Sequence, residues 1–541
     1  MGVAGCPTAM VVGWEATAGA GRCPLAVEKS AEAVVPAGSS GLPGRAEREA
    51  EAEDVRARGN RGERSQPRKG SRWEGRRVKP DGGRREWSGS PAPDETAPHP
   101  ADASLWERFL FRGNLAAALR RVEQNAGAPG IDGMRTEELR PWLKEHWPQL
   151  RSRLDAGVYR PQPVRRVMIP KSSGGVRMLG VPTAVDRLIQ QALLQVLTPV
   201  FDPHFADHSF GFRPGRSAHQ AVEAARQSIE DGAAWVVDVD LDAFFDRVQH
   251  DAVMARVARR VSDKQVLRLI RRYLEAGVME DGVKQASEEG TPQGSPLSPL
   301  LANVMLDDLD KELERRGHRF VRYADDLMVY VRSERAGQRV MDSITQFVES
   351  RLKLRVNRGK SAVAAATKRP FLGFGFFVRQ GKVSVHVDPK ALKRAKERLR
   401  RLSSRSWSIS MEERIQAINR FTVGWTAYFA YADTPSAFER LDEWLRRRLG
   451  QVRWKEWKHC RTRQRNLRAL GIPDGPARQW GASRKGSWRI AGSYVLARAL
   501  PNAHWAALGL KGFSDPYSRF RDATRTAGCG PARPVVWEGP G

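Results

Sequence analysis

Two adjacent aspartates, Asp325 and Asp326, interrupt an apolar and aromatic stretch of the sequence, RYADDLMVY. The residues on both sides are β-branched or aromatic types, and the break between them is short, so the pattern predicts a tight β-hairpin. Neighbouring carboxylates repel each other, and apolar surroundings strengthen that repulsion. One explanation is an ordinary solvated turn, in which Asp is common. The other is a bound divalent cation, because Mg²⁺ prefers carboxylate and phosphate oxygens.

A second acidic segment, WVVDVDLDAFF, could supply the further ligands that a metal site needs. Strand alternation puts its apolar and acidic side chains on opposite faces. The apolar face holds Val237, Val239 and Leu241, and the acidic face holds Asp238, Asp240 and Asp242. A solvated sheet edge would also account for three acids. One of these acids together with Asp325 and Asp326 would form a carboxylate cluster of the kind that holds two metal ions during phosphoryl transfer.

The formal net charge of +29 indicates a polyanionic partner, either nucleic acid or an acidic membrane. Residues 391–541 contain 30 Lys and Arg against 12 Asp and Glu, so most of the excess lies at the C-terminal end. There is no apolar run of transmembrane length and no signal peptide, which predicts a soluble intracellular protein. The four cysteines form no CxxC pair, which argues against a zinc finger or a disulfide framework.

The order of elements predicts an α+β region followed by a helical one. Residues 1–103 are rich in Gly, Ala, Arg and Glu and are expected to be disordered. Helical and strand patterns then follow each other from Leu105 to about Asp388. They predict two short strands joined by a Gly-rich loop in RPQPVRRVMIPKSSGGVRMLGVP, a helix from Asp251 to about Glu275, and strands in KRPFLGFGFFVR and KVSVHV. Beyond that point the sequence is helical, basic and rich in tryptophan, which is typical of a helical appendage to an α+β domain.

Several blocks of the sequence, taken in order, resemble a known family. Asp240 followed by Phe245, then PQGSPLSPLLAN, then YADD, resemble the palm motifs of reverse transcriptases. The segments NAGAPGIDGM, SFGFRPGRSAH, FLGFGF and INRFTVGWTAYFAYADTPSAFERLDEWLRRRLG resemble the bacterial group II intron reverse transcriptase/maturases. The resemblance covers roughly residues 105–520.

This resemblance implies an α+β fold with right-hand-like reverse transcriptase fingers and palm, followed by an all-helical thumb/maturase domain. It also implies domain boundaries. They are a disordered N-terminal extension at 1–103, fingers at 104–235, a palm with the YADD hairpin at 236–388, a thumb/maturase (X) domain at 389–465, a small basic helical module at 466–525 and a disordered tail at 526–541. Many family members also carry a His-Asn-His endonuclease with paired cysteines, which we do not expect here because Cys529 stands alone.

The implied activity is RNA-directed DNA polymerisation. Asp240, Asp325 and Asp326 match the family's metal-binding carboxylates, which hold two Mg²⁺ ions. Asp240 and Asp325 would contact both ions, and Asp326 would contribute less directly. In such a reaction one ion lowers the pKa of the attacking 3′-hydroxyl, and the other stabilises the charge on the departing pyrophosphate.

Five further residues match nucleotide-binding positions of the family. Lys171 and Arg177 would grip the triphosphate, for which an ammonium and a forked guanidinium are chemically suited. Phe245 would exclude a 2′-hydroxyl and so favour dNTPs, although Phe245 or its neighbour Phe244 could instead pack in the core. Gln293 would line the nucleotide pocket. Lys360 would protonate the pyrophosphate leaving group.

The basic C-terminal region implies RNA as a partner. The candidate RNA-binding residues are Arg446, Arg447, Arg448, Arg453, Lys455 and Lys458. Trp454 and Trp457 among them would either stack on unpaired bases or lie in the core. By resemblance the partners are the group II intron RNA, an RNA template, a DNA primer or target, and dNTPs. The implied setting is the bacterial cytoplasm, with the protein bound to the nucleoid as a ribonucleoprotein.

Two other functions compete with a polymerase that also assists splicing and intron mobility. One is a non-enzymatic RNA-binding splicing maturase with a decayed polymerase core. The intact carboxylates and the retained Lys171 and Arg177 argue against it. The other is a domesticated reverse transcriptase that serves another retroelement or a defence system. The maturase-like segment 417–450 argues against that function.

Overall fold

The computed structural model describes residues 103–526 except 171–175, 281–282, 286–289 and 291–293. The predicted disorder of residues 1–103 and 526–541 therefore lies almost entirely outside the described residues, and so do Lys171 and Gln293. Within the described residues, every helix is either too short or too polar to cross a membrane.

The described chain begins with helices and one β-hairpin. These elements are α1 (Leu105–Leu110), α2 (Arg112–Asn125), α3 (Leu139–Asp155), β1 (Val164–Pro170), β2 (Val176–Val181) and α4 (Ala184–Phe201). Helix α1 starts where the sequence predicts because Ser104 and Glu107 form a capping box. The two predicted strands are confirmed, and they pair antiparallel with Ile169 opposite Arg177.

The next part of the chain alternates helices with short strands. These elements are α5 (Ala218–Glu230), β3 (Trp235–Val239), α6 (Phe244–Arg247), α7 (His250–Ala258), α8 (Lys264–Leu274), β4 (Val278–Glu280) and β5 (Val283–Gln285). The helical segment predicted from Asp251 to Glu275 is divided in two. Asp263 caps the second half by accepting hydrogen bonds from the backbone N–H groups of Gln265 and Val266, at 3.0 and 3.2 Å.

The predicted catalytic hairpin follows a long helix. These elements are α9 (Ser298–Arg315), β6 (Arg319–Tyr323), β7 (Asp326–Val331), α10 (Glu334–Phe347), β8 (Ala362–Ala365), β9 (Phe374–Arg379) and β10 (Lys382–Val387). A wider turn, Val348–Leu352, extends α10, and short 3₁₀ turns lie at Asp202–His204 and Ala366–Lys368. The strands that the sequence predicts around the YADD motif and in FLGFGFFVR and KVSVHV are all confirmed.

The described chain beyond Asp388 is entirely helical, as predicted. Its helices are α11 (Pro389–Leu402), α12 (Met411–Phe429), α13 (Pro435–Glu456), α14 (Cys460–Ala469), α15 (Asp474–Gly481), α16 (Ser487–Ala491), α17 (Tyr494–Ala499), α18 (Asn502–Ala507) and α19 (Ser514–Thr526). The α+β fold class with a helical C-terminal region is therefore confirmed.

Within the described part of the chain, the strands form two four-stranded sheets and one separate two-stranded ribbon. The first sheet has the order β2-β1-β4-β5, the second has the order β6-β7-β3-β8, and β9 pairs with β10. In the second sheet, β3 is a central strand that pairs antiparallel with both β7 and β8. The two acidic segments of the sequence therefore lie on neighbouring strands, which places their carboxylates at one end of this sheet.

The second sheet is buried on both faces, so the predicted division of β3 into an apolar face and an acidic face holds only in part. Val237 and Val239 pack into a core shared with the N-terminal helices, while Val236 packs into a second core that continues into the C-terminal helices. The face opposite Val237 therefore begins with an apolar residue. Asp242 lies beyond the strand, where it forms an ion pair with Arg247 at 3.0 Å. Acidic side chains appear only as the strand approaches its end.

Candidate active site

The turn that carries the paired acids is as tight as the sequence predicts. Tyr323 pairs with Asp326, so the connection between β6 and β7 consists of Ala324 and Asp325 alone. Two-residue hairpin turns need positive φ values, and Ala324 has φ = 59°. A non-glycine residue in this left-handed region costs about 1–2 kcal/mol. The surrounding structure must therefore hold the turn in place.

A cavity of about 440 Å³ lies beside the hairpin at the end of the second sheet. The side chains that give it chemical character are Asp238, Asp240, Asp326, Lys360, Ser361 and Arg369. The structure thus brings three predicted site residues, Asp240, Asp326 and Lys360, to one place. Asp325, one residue before Asp326 in the turn, and Phe245 are not among the described residues that line this cavity.

Asp240 is held by the segment that precedes β8. Its backbone N–H donates to the Ser361 hydroxyl at 2.9 Å, and its carbonyl accepts from the Asn357 N–H at 2.8 Å. The same segment carries Lys360, whose Nζ lies 3.4 Å from Oδ2 of Asp240. The Lys360 side chain is 68% exposed, so its flexible stem can turn away from the carboxylate.

Asp238 is a fourth carboxylate at this site, paired with a residue that the sequence did not single out. Its Oδ2 lies 3.6 Å from Nε of Arg369, and Arg369 also donates to the Lys360 carbonyl at 3.2 Å. The pKa of Asp238 is raised to about 6, chiefly by burial and to a lesser extent by the charges of Asp326 and Asp240, while the charge of Arg369 opposes the shift. The charges of Asp326 and Asp240 are therefore close enough to Asp238 to disfavour the ionisation of Asp238.

The chemistry of these side chains fits a hard divalent cation, because carboxylate oxygens are the donors that Mg²⁺ prefers. Among the described residues, however, no three acidic, histidine or cysteine side chains converge into a complete metal-binding group. Lys360 and Arg369 carry positive charges that face Asp240 and Asp238. The residue types therefore fit a metal ion. In this structure, however, the positive charges of Lys360 and Arg369 balance the negative charges of Asp240 and Asp238.

Helix α6 separates the roles of the two adjacent phenylalanines. Phe244 is buried, with 4% of its surface exposed, whereas Phe245 is half-buried against the same core. Their ring centroids lie 5.1 Å apart at 77°. Phe244 therefore fills the core position, and Phe245 keeps an accessible ring. Arg177 lies in β2, and its predicted role stays a prediction, as do those of Lys171 and Gln293 outside the described residues.

The predicted RNA-binding residues divide into internal and accessible groups. Arg447 lies 4.2 Å above the Trp488 ring, and Arg448 donates to the Ser403 hydroxyl at 3.1 Å. Arg453 pairs with Glu456 at 3.0 Å. These three arginines therefore contribute to intramolecular contacts. Lys455 and Lys458 are exposed, and Arg446 is half-buried.

Trp454 and Trp457 are both buried, with 2% and 8% of their surfaces exposed. The possibility that they stack on unpaired bases is therefore wrong, because a base cannot reach either ring. Sequence reasoning also missed a basic stripe on α11. Its residues are Lys390, Arg394, Arg398 and Arg401, and all except the half-buried Arg394 are exposed. Their spacing of four, four and three residues was the available signal, because it places them on one helix face.

Comparison with protein families gives two matches in the expected order. Residues 169–376 match the family "Reverse transcriptase (RNA-dependent DNA polymerase)". Residues 392–471 match the family "Group II intron, maturase-specific domain". The first range contains the hairpin and the residues that line the cavity. The second contains α12, α13 and all but the first three residues of α11, together with the predicted RNA-binding residues from Arg446 to Lys458.

Two curated relatives agree with these matches. Protein YkfC of Escherichia coli K12 is 33% identical over 302 residues, which cover 48% of this chain and 78% of YkfC. The group II intron-encoded protein LtrA of Lactococcus lactis subsp. cremoris is 28% identical over 340 residues, which cover 50% of this chain and 56% of LtrA. The chain belongs to the group II intron reverse transcriptase/maturase family. The family that the sequence motifs indicated is therefore confirmed.

The two matched regions are thus a reverse transcriptase domain, which belongs to a metal-dependent class of RNA-directed DNA polymerases, and a group II intron maturase domain. Among solved structures, a chain of the "Partial Cas6-RT-Cas1--Cas2 complex" is similar at 23% identity and a TM-score of 0.30. That match covers 46% of this chain and 43% of the other. Similarity at this level carries no argument about mechanism.

Proposed function

We propose that this protein copies RNA into DNA at the cavity beside the Ala324-Asp325 turn. The observation that supports the proposal is that Asp238, Asp240 and Asp326 all line this one cavity. Asp240, Asp325 and Asp326 are the proposed ligands of two Mg²⁺ ions. When bound, these ions would activate the primer hydroxyl and neutralise the charge that develops on the pyrophosphate.

The chain's own residues orient the reacting groups. The contacts of Ser361 and Asn357 with the Asp240 backbone hold that carboxylate at the end of β3. Asp326 begins β7, so its backbone is fixed by strand pairing. Arg369 keeps part of the local negative charge balanced at Asp238. Positioning and charge neutralisation are the main requirements of phosphoryl transfer, so these contacts act directly on the rate.

The remaining nucleotide contacts are proposed from the family motifs. Lys171 and Arg177 grip the triphosphate, and Gln293 lines the nucleotide pocket. Phe245 blocks a 2′-hydroxyl, which its half-buried ring can do because Phe244 already fills the core. Lys360 gives a proton to the pyrophosphate, and its exposed ammonium group beside Asp240 is suited to that step.

We further propose that the maturase domain binds the intron RNA from which the protein is made. The accessible basic residues of this domain are candidates for phosphate contacts. They are Lys390, Arg394, Arg398, Arg401, Arg446, Lys455 and Lys458. Binding of this kind would promote splicing and, with a DNA target that supplies the primer, intron mobility by target-primed reverse transcription. The protein would then act as a ribonucleoprotein at the nucleoid.

Primer extension on an RNA template with dNTPs tests the catalytic proposal. Asp240→Asn keeps the backbone contacts of residue 240 but removes the carboxylate charge. We expect extension to fall by at least about a hundredfold, because one of the metal ligands is lost. Asp251→Asn is the matched control, since this exposed acid pairs with Arg271 on the surface. Equal extension by Asp240→Asn and the control would contradict the proposal.

A further inference from the structure

Arg322, the residue that precedes Tyr323 in β6, is buried with 1% of its surface exposed. All five of its N–H groups have acceptors. Nε donates to Asp310 Oδ1 at 2.7 Å, Nη1 to Asn303 Oδ1 at 2.9 Å and to the Ala324 carbonyl at 2.8 Å, and Nη2 to Ser209 Oγ at 2.8 Å and to Asp310 Oδ2. A guanidinium has five N–H donors, so its hydrogen-bonding capacity is fully used.

These acceptors lie on three separate parts of the chain. Asn303 and Asp310 belong to α9, Ser209 belongs to the segment before α5, and Ala324 is the first residue of the catalytic turn. The backbone of Arg322 adds to the connection. Its N–H donates to the His208 carbonyl, and its carbonyl accepts from the Phe210 N–H, both at 2.9 Å. One residue thus ties a helix, a loop and the hairpin together.

The same loop lies directly against the turn. A Cβ atom at Gly211 would be 2.2 Å from the Ala324 nitrogen, so only glycine fits there. Asn303 holds this loop by donating to the Gly211 carbonyl at 2.9 Å. The strained, left-handed Ala324 is therefore enclosed by Gly211 on one side and hydrogen-bonded to Arg322 through its carbonyl.

The Arg322 contact with the Ala324 carbonyl matters because that carbonyl belongs to the peptide unit that joins Ala324 to Asp325. The orientation of this unit sets the direction in which Asp325 and then Asp326 leave the turn. A buried ion pair gives little net stability, because the cost of removing two charges from water offsets their attraction. The planar guanidinium fork instead provides orientation, since it fixes several acceptors at once.

We propose that Arg322 is a positioning residue for polymerisation, which orients the Ala324-Asp325 peptide and thereby the two hairpin carboxylates. This inference rests on the proposed function, since it takes Asp325 and Asp326 as the metal ligands. Residues that support metal ligands from behind typically change metal affinity 10- to 100-fold when they are replaced. The magnesium requirement of the reaction is therefore the quantity that Arg322 should control.

The experiment measures the Mg²⁺ concentration that gives half-maximal primer extension by the full-length protein and, without catalysis, the Mg²⁺ concentration that gives half of the Mg²⁺-dependent rise in its melting temperature. Arg322→Lys keeps a positive charge beside Asp310 but loses the fork that reaches Ala324 and Ser209. We expect the half-maximal Mg²⁺ concentration to rise by about tenfold. Ser209→Ala is a milder variant that removes one acceptor and keeps the ion pair. Ser209→Ala should fold normally and raise the half-maximal Mg²⁺ concentration by only about threefold, below the 10- to 100-fold range, because four of the five Arg322 hydrogen bonds remain.

Arg414→Lys is the matched control for a purely structural effect. Arg414 is also 1% exposed, and it donates to the carbonyls of Leu402, Ser404 and Trp407 in the helical region. Its replacement should lower the melting temperature without changing the magnesium requirement. The comparison therefore distinguishes the two roles: a positioning residue changes the magnesium requirement, whereas a purely structural residue changes only the melting temperature.

Two outcomes would overturn the inference. One is a folded, active Arg322→Lys protein with the wild-type magnesium requirement. The other, which decides the matter if Arg322→Lys does not fold, is a Ser209→Ala protein with that requirement unchanged. Either result leaves the proposed function standing. Failure of the proposed function is recognised separately, because Asp240→Asn would then retain extension at every magnesium concentration.

Discussion

Replacing Asp238 with asparagine should stabilise the metal-free protein, and only at the pH values where Asp238 is charged. The pKa of this carboxyl is raised from 3.8 to about 6, chiefly by burial, against the opposing charge of Arg369 and with smaller contributions from Asp326 and Asp240. A carboxyl with a raised pKa binds its proton more tightly in the folded than in the unfolded chain. Its ionisation as the pH rises from about 4 to 6 therefore removes folding stability.

The full pKa shift corresponds to about 3 kcal/mol by linkage. The side chain is 22% exposed, and solvent screening reduces the expected effect to about 1–2 kcal/mol. Asp238→Asn should thus match the wild type near pH 4, gain stability up to about pH 6 and keep that gain above it. An increase in melting temperature of a few degrees is expected at pH 8.

Thermal unfolding in EDTA from pH 4 to pH 8 measures this difference. Asp251→Asn is a suitable control, because the hydrogen bond from Arg271 lowers the pKa of Asp251 and no gain is expected from its removal. A gain that is equal at pH 4 and pH 8 would show that the charge of Asp238 is not the cause. A less stable Asp238→Asn protein at pH 8 would refute the reasoning outright.

Two further predictions concern the nucleotide and the RNA. Phe245→Ala should admit rNTPs in primer extension, whereas Phe244→Ala should chiefly destabilise the fold, because Phe244 is the buried ring. Unchanged dNTP/rNTP discrimination in a folded Phe245→Ala protein would show that Phe245 does not exclude the 2′-hydroxyl. The affinity for intron RNA should fall steeply as the salt concentration rises, and neutralising four basic residues should reduce the slope of log K against log salt by about 3. An unchanged slope would show that these four residues do not contact the RNA phosphates. The four substitutions are Lys390→Gln, Arg398→Gln, Arg401→Gln and Lys458→Gln.

Local features of the site could be predicted because short stretches of sequence determine them. The hairpin follows from two strand-forming runs with a two-residue break, and β3 follows from its valines. The start of α1 follows from Ser104 and Glu107, three residues apart. Each of these signals lies within about ten residues of the structure that it predicts.

The remaining features depend on residues that are distant in sequence. Arg369 meets Asp238 across 131 positions, and Arg322 meets Ser209 across 113. No local pattern marks such pairs in a chain with 91 Lys and Arg. Local sequence also does not show that two arginines of α13, Arg447 and Arg448, contact Trp488 and Ser403 instead of solvent. Packing between helices decides which arginines stay accessible.

The central claim is that the hairpin carboxylates serve polymerisation while the C-terminal helices bind the RNA. The double variant Asp325→Ala/Asp326→Ala tests both parts in one preparation of folded protein. Strand pairing in β6 and β7 does not depend on these carboxylates, so the fold should survive. We expect primer extension to fall by several orders of magnitude.

Splicing of the intron RNA at near-physiological magnesium, measured with the same preparation, should continue, because the basic residues lie in the maturase domain. The most direct measurement is thus the ratio of primer extension to splicing in this double variant relative to the wild type. The account predicts a large fall in that ratio. Extension that persists at the wild-type rate would contradict the account, because the hairpin would then not be the metal site.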